Sequence, residues 1–147
     1  MAVHPLMAAK KVCERRTWGV SNLEINKILY FAHMLFLGRH GLDSPLVEEM
    51  FQAWDYGPVL PSVYHRTKSF GRKPVQNVFY WIRDLPKGGE SGIIEEAVDE
   101  LAGKTPAELV AITHWEDGAW ARHYEPGARG IVIPNKDILY EYNLRVK

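Results

Sequence analysis

The sequence predicts a mainly α-helical fold, a compact single domain of about six helices with a small two-stranded β element. Three observations carry that expectation. The 147 residues are 46% hydrophobic and 24% charged, the balance of one soluble globular domain over residues 1–147. A chain of this size buries roughly 68–70% of its unfolded surface, enough for a core without disulfides or a structural metal. Two capping boxes, Ser21 with Glu24 and Thr105 with Glu108, each precede apolar residues at helical spacing, and strand-type residues occur only in short runs.

Leu6 to Arg16 places Leu6, Ala9 and Cys13 at spacings of three and four, with Val12 beside them, so a first helix ends near Gly19. The second helix starts at the Ser21 box and repeats Ile25, Ile28, Leu29, Ala32, Leu35 and Phe36 to about Arg39, with Gly38 and Gly41 as stop signals. After the turn at Asp43-Ser44-Pro45, Glu49 to Tyr56 reads as a short strand broken by Gly57-Pro58. Val59 to Phe70 carries Pro61 in its first turn and Leu60, Val63, Tyr64 and Thr67 on one face, a third helix that stops at Gly71. Val78 to Ile82 is β-branched and aromatic, and reads as a second strand able to pair with the first. Lys87 to Gly92 reads as a flexible surface loop, and Ile94, Ala97, Val98 and Leu101 as an amphipathic helix with Glu95, Glu96, Asp99 and Glu100 outward. Thr105 caps a helix from Pro106 to about Trp115 with Leu109, Ile112 and Thr113 inward. Asn135 caps a last helix that packs through Ile138, Leu139 and Tyr142.

Several function classes are disfavoured. The apolar stretches at Ile28–Leu37 and Val78–Ile82 fall short of the ~20 residues of a membrane span, and the first ten residues do not form a secretory signal. The single cysteine, Cys13, forms neither an intramolecular disulfide nor a cysteine-built zinc site, which fits a reducing cytoplasm. Cys13 on the apolar side of its helix reads as a packed thiol rather than a nucleophile. With 18 basic and 18 acidic residues the chain lacks the cationic excess of a sequence-indifferent nucleic-acid binder. No phosphate-binding glycine motif is present, so no cofactor is assigned. His33 and His40 lie about 10 Å apart along a helix, too far to share one ion, and no metal ligand is assigned.

Three constellations are left to weigh. His114, Asp117 and His123 could centre a small hydrolase, although a solvated helix end accounts for them as well. Arg66, Lys68, Arg72 and Lys73, interleaved with Tyr64 and Phe70, could grip a nucleic-acid backbone or serve the helix end they sit on. Five tryptophans and seven tyrosines are a large aromatic supply for this length, and Trp54, Tyr56, Tyr64 and Trp120 are candidates either to anchor a protein partner or to form scaffold.

The run Ser21-Asn22-Leu23-Glu24-Ile25-Asn26-Lys27-Ile28-Leu29-Tyr30-Phe31-Ala32-His33 resembles the Leu-x-Leu-x-Lys-Leu-Leu-Tyr-Tyr-Ala helix of the SocA-like antitoxins, the Panacea domain met in phage-associated proteins. Ala53-Trp54-Asp55-Tyr56-Gly57-Pro58-Val59-Leu60-Pro61-Ser62-Val63-Tyr64 resembles that family's Ala-Trp-x-x-Gly-Pro-Val-x-Pro-x-Val-Tyr signature. Leu109 to His114 with Trp120 is similar to its Leu-x-x-x-Thr-His and Pro-Trp segment, with Ala119 in place of the proline, and Ile133 to Tyr142 fits its closing helix. The resemblance implies a helical, non-enzymatic antitoxin that neutralises a cognate toxin by direct contact, and in one branch delivers it to the ClpXP protease. The second reading is a phage-derived nucleic-acid-associated regulatory protein that uses Arg66, Lys68, Arg72 and Lys73.

Overall fold

A computed structural model describes all 147 residues. Helix α1 (Pro5–Arg15) is opened by the His4 ring, whose Nδ1 accepts from the Leu6 amide at 3.1 Å, and by Pro5 in the first turn. It is closed by Thr17 and Trp18, both at positive φ, rather than by Gly19. Its buried residues include Leu6, Ala9, Val12 and Cys13, as the spacing requires, and burial pushes the Cys13 thiol up to about 12.

Helix α2 (Asn22–His40) starts at the Ser21–Glu24 capping box, in which the Glu24 carboxylate accepts from the Ser21 amide and the Ser21 hydroxyl from the Glu24 amide. It stops at Gly41, whose φ is 99°. Gly38 is not a stop. A Cβ there would lie 2.3 Å from the Tyr142 ring, so this glycine lets the last helix approach closely. Nearly the whole circumference of α2 is covered, including Asn26, Lys27, Tyr30 and His33. It is the central rod of the molecule, and a helix enclosed on every side shows no clean polar face in its sequence.

A hairpin of β1 (Gln52–Trp54) and β2 (Gly57–Val59) lies against the first half of α2, with Gln52 opposite Val59, Ala53 opposite Pro58 and Trp54 opposite Gly57. The partner of β1 is therefore the segment that follows a two-residue turn, not Val78–Ile82. That run forms turns in which Phe79 is buried while its neighbours Tyr80 and Trp81 are both exposed, a pattern incompatible with strand alternation. Asn77, at a φ of 50°, bends the chain just ahead of it. The other edge of β1 is met by residues 131–133, with the Ala53 amide donating to the Ile131 carbonyl and the Ile133 amide to that of Phe51.

Helix α3 (Pro61–Thr67) continues as one 3-10 turn, Lys68–Phe70. Leu60 supplies no side-chain cap, and the Glu49 carboxylate does so instead, accepting from the Ser62 amide and, at 2.7 Å, its hydroxyl. Helix α4 (Gly89–Glu100) begins inside the expected flexible loop, because the Ser91 hydroxyl accepts from the Gly88 amide and closes the first turn. Its outward acids are not merely solvated. Glu95 meets Lys11, Asp99 meets Arg15 and Glu96 meets Arg39.

Helix α5 (Pro106–Thr113) starts at the Thr105–Glu108 box and buries Leu109 and Thr113. The short α6 (Ala119–His123), which the sequence did not announce, raises the count to seven helices. In α7 (Asn135–Arg145) the cap position falls to Pro134, because the Asn135 side chain is taken by His33 at 2.9 Å. Thirty buried residues form one contiguous core around α2. No helix is long and apolar enough to cross a membrane.

Candidate functional site

The site is built where the hairpin crosses α2. Asn26 and Lys27, polar residues on the enclosed helix, hold the second strand from beneath. The Asn26 Oδ1 accepts from the Leu60 amide at 2.8 Å, and its Nδ2 donates back to Asn22. The Lys27 ammonium donates to the Pro58 carbonyl at 3.1 Å. Lys27 is 1% exposed and has no carboxylate partner, so burial lowers its pKa from 10.5 to about 7. Gly57, at a φ of 116°, lies directly on it, and a Cβ there would meet the Lys27 Cε at 2.7 Å and the Thr113 Oγ1 at 2.9 Å. Gly57 is thus explained by its close approach to the buried Lys27 side chain and by the positive φ of the turn exit.

The turn is clamped from its other side by a ladder of rings. The His114 ring stacks on Trp120 at 3.7 Å with an interplanar angle of 4°, and Trp120 stacks on Tyr124 at 4.5 Å. The Trp120 Nε1 donates to the Trp54 carbonyl at 2.7 Å, and the Tyr124 hydroxyl donates to Asp55 at 2.6 Å. Burial, then the charge of Lys27, holds the His114 pKa below its ordinary value. The ladder is anchored in turn by Glu141, fully buried on α7. One of its oxygens accepts from the Tyr30 hydroxyl and the Ala119 amide, and the other from the Arg145 Nε.

Between the hairpin, the first turns of α2 and α5, the end of α3 and residues 127–129 lies a groove of about 1060 Å³. Trp54 and Tyr64 line it with ring centroids 4.7 Å apart, and Tyr56 stands at its rim with 70% exposure. Lys68, Arg72 and Arg129 line it as well, with the Arg129 guanidinium 5.2 Å from the centre of the Trp54 ring.

The structure sorts the sequence candidates into three places. Trp54, Tyr56 and Tyr64 come together at the groove, whereas Trp120, 8% exposed, stands behind the hairpin and supports it. The basic set divides. Lys68 and Arg72 reach the groove, Arg66 lies over the Trp81 ring at 4.7 Å, and Lys73 is exposed outside the groove lining. His114, Asp117 and His123 do not converge, since His114 is stacked on Trp120, His123 is bonded to Asp137 at 2.6 Å and Asp117 is exposed. No three His, Cys, Asp or Glu side chains are placed to hold a metal ion.

Asn26, Lys27, Glu141 and Arg129 escaped residue-by-residue reading. The first two carried a signal, a polar pair inside the most apolar helical run of the chain. Glu141 and Arg129 look like ordinary surface charges in sequence, and only their long-range partners distinguish them.

Comparison with known proteins places the same region at the centre of a likeness. A family model described as "Antitoxin SocA-like, Panacea domain" matches residues 25–121, from the first buried turn of α2 through Trp120. Antitoxin SocA of Caulobacter vibrioides (strain NA1000 / CB15N) is 34% identical over 116 residues, covering 69% of this chain and 58% of that protein. The chain therefore spans less than two thirds of that relative's length. No solved structure matches.

Proposed function

We propose, from the premise that the chain belongs to the SocA-like antitoxin (Panacea domain) family, that it neutralises a cognate toxin in the cytoplasm by direct protein contact and without catalysis. An antitoxin role is what the family gives. Contact as its means is supported by one observation above others: the family-matched residues Lys27, Trp54, Gly57, Pro58, His114 and Trp120 build a braced hairpin, and that hairpin presents an aromatic groove rather than a reactive cluster. Aromatic and arginine side chains on a rigid support are the composition of protein-binding hot spots. An interface of ordinary size would bury about 800 Å² of this chain.

The test is growth rescue followed by co-purification. The product of the neighbouring reading frame is expressed with and without this chain. Toxicity relieved by the chain, together with a stable complex of the two proteins, is the expected result. A harmless neighbour that does not co-purify would count against neutralisation. Repeating the rescue in cells lacking ClpXP separates two means: persistence assigns the effect to masking, and loss assigns it to adaptor-mediated degradation. Retention on DNA or RNA that falls steeply with salt would instead support the regulatory reading.

A further inference from the structure

We infer that the groove between the hairpin, the end of α3 and residues 127–129 docks an acidic segment of a partner polypeptide. The inference rests on the antitoxin reading and adds where the partner binds and what chemistry it brings. Charge is the first argument. Lys68, Arg72 and Arg129 are exposed at the groove and none of them is ion-paired. Asp55 is the one carboxylate in the lining, and it accepts from Tyr124. In a chain with 18 basic and 18 acidic residues this is a local excess, unlike the α1 and α4 face, where Lys11 and Arg15 meet Glu95 and Asp99. Such a surface favours an anionic occupant and speeds its encounter.

Ring geometry decides which anion. Single-stranded nucleic acid is held by bases stacked on free aromatic faces. Here the Trp54 ring packs edge to face with Tyr64 at an interplanar angle of 64° and carries the Arg129 guanidinium over it, so that of the three rings at the groove only Tyr56, at the rim, stays open, one face where a run of bases needs several. Trp54 and Tyr64 form a packed wall with the Arg129 cation above it and Lys68 and Arg72 elsewhere in the lining, suited to apolar side chains flanked by carboxylates. At about 1060 Å³ the groove also matches or exceeds the largest common small-molecule sites and suits a chain segment of several residues.

The probes are a fluorescein-labelled twelve-residue peptide of repeating Glu-Asp-Phe and a labelled oligothymidylate of equal length, titrated by fluorescence anisotropy with the full chain. The peptide is expected to bind, to weaken with added salt, and to lose at least about tenfold in affinity in the triple variant Lys68→Glu, Arg72→Glu, Arg129→Glu. The control pair Lys87→Glu, Lys136→Glu, exposed and away from the groove lining, should bind like the wild type. Should the triple variant melt early, Lys68→Glu and Arg129→Glu are read singly, each expected to weaken the peptide by about threefold or more. Equal peptide binding by wild type and variants, oligothymidylate binding in place of the peptide, or binding of neither probe would each overturn the inference. In the growth-rescue assay, rescue by the wild type and not by the triple variant supports the groove. Rescue by both overturns the groove and leaves neutralisation standing. Absence of wild-type rescue counts against neutralisation, and the peptide titration then still decides the groove.

Discussion

Replacing Glu141 by glutamine should loosen the support of the hairpin from a distance. The carboxylate is fully buried and takes three donors, the Tyr30 hydroxyl at 2.7 Å, the Ala119 amide at 2.9 Å and the Arg145 Nε at 2.8 Å. In Glu141→Gln the amide oxygen keeps the first two as neutral bonds, and its NH2 is left facing the Arg145 Nε–H, donor against donor. Bonds to a charged acceptor are worth about 1.5–3 kcal/mol and neutral ones about 1, so weakening two by at least about 0.5 each and losing one of at least about 1.5 sums to about 2.5 kcal/mol or more. Arg145 is partly exposed and already donates to the Ile112 carbonyl, which allows it to relax and trims the loss to about 2–3 kcal/mol. For a chain of this size that lowers Tm by roughly 5–10 °C. Urea unfolding followed by tryptophan fluorescence, run on Glu141→Gln, Tyr30→Phe and the double variant, measures both the loss and the coupling, expected at about 0.5 kcal/mol or more. A Glu141→Gln protein melting with the wild type, or strictly additive single effects, would refute a shared buried network.

Lys27, lowered from 10.5 to about 7 by burial, leaves the folded chain one proton short of the unfolded chain between those values. Stability of the wild type relative to Lys27→Met should therefore rise from pH 7 to 9 by about 1.4 kcal/mol per unit, and parallel urea titrations across that range would contradict it. His33, lowered from 6.5 to about 4 by burial against the opposing bond to Asn135, predicts a slope of the same sign in acid. Below pH 6.5 the unfolded chain gains a proton first, so the wild type should lose stability relative to His33→Gln at about 1.4 kcal/mol per unit down to pH 4, a slope that calorimetry over that interval checks. Gly57→Ala combines a positive φ with a Cβ 2.7 Å from Lys27 and is expected to destabilise by about 2 kcal/mol or more, whereas Gly103→Ala, with open space around it, should melt like the wild type. Equal melting of the two alanine variants would dispose of the close-approach argument.

The starts of α2 and α5 were legible because each is written within four residues: a hydroxyl, a glutamate and the amides between them close on themselves wherever the helix sits. The alternation of buried positions on α1 and α3 was legible for a similar reason, since one side of each faces the core. The family signature was readable as a string, and with it the importance of the Trp54 to Pro58 turn. Its geometry was not. Val78–Ile82 has the composition of a strand yet finds no edge to pair with, because β1 is taken by β2 on one side and residues 131–133 on the other. Helix α6 is too short to show a period.

Local sequence thus settled where helices begin, which side of the outer ones is apolar, and which family the chain belongs to. Tertiary structure alone decided that Lys27 lies unpaired under the hairpin, that Glu141 is interior and that Arg129 joins Lys68 and Arg72 at one groove. The capping bonds span three residues, but Lys27 reaches Pro58 across 31 positions, Trp120 reaches Trp54 across 66 and Tyr30 reaches Glu141 across 111. Whether a charge is solvated or buried depends on what the rest of the chain places over it, and no window of neighbouring residues holds that information.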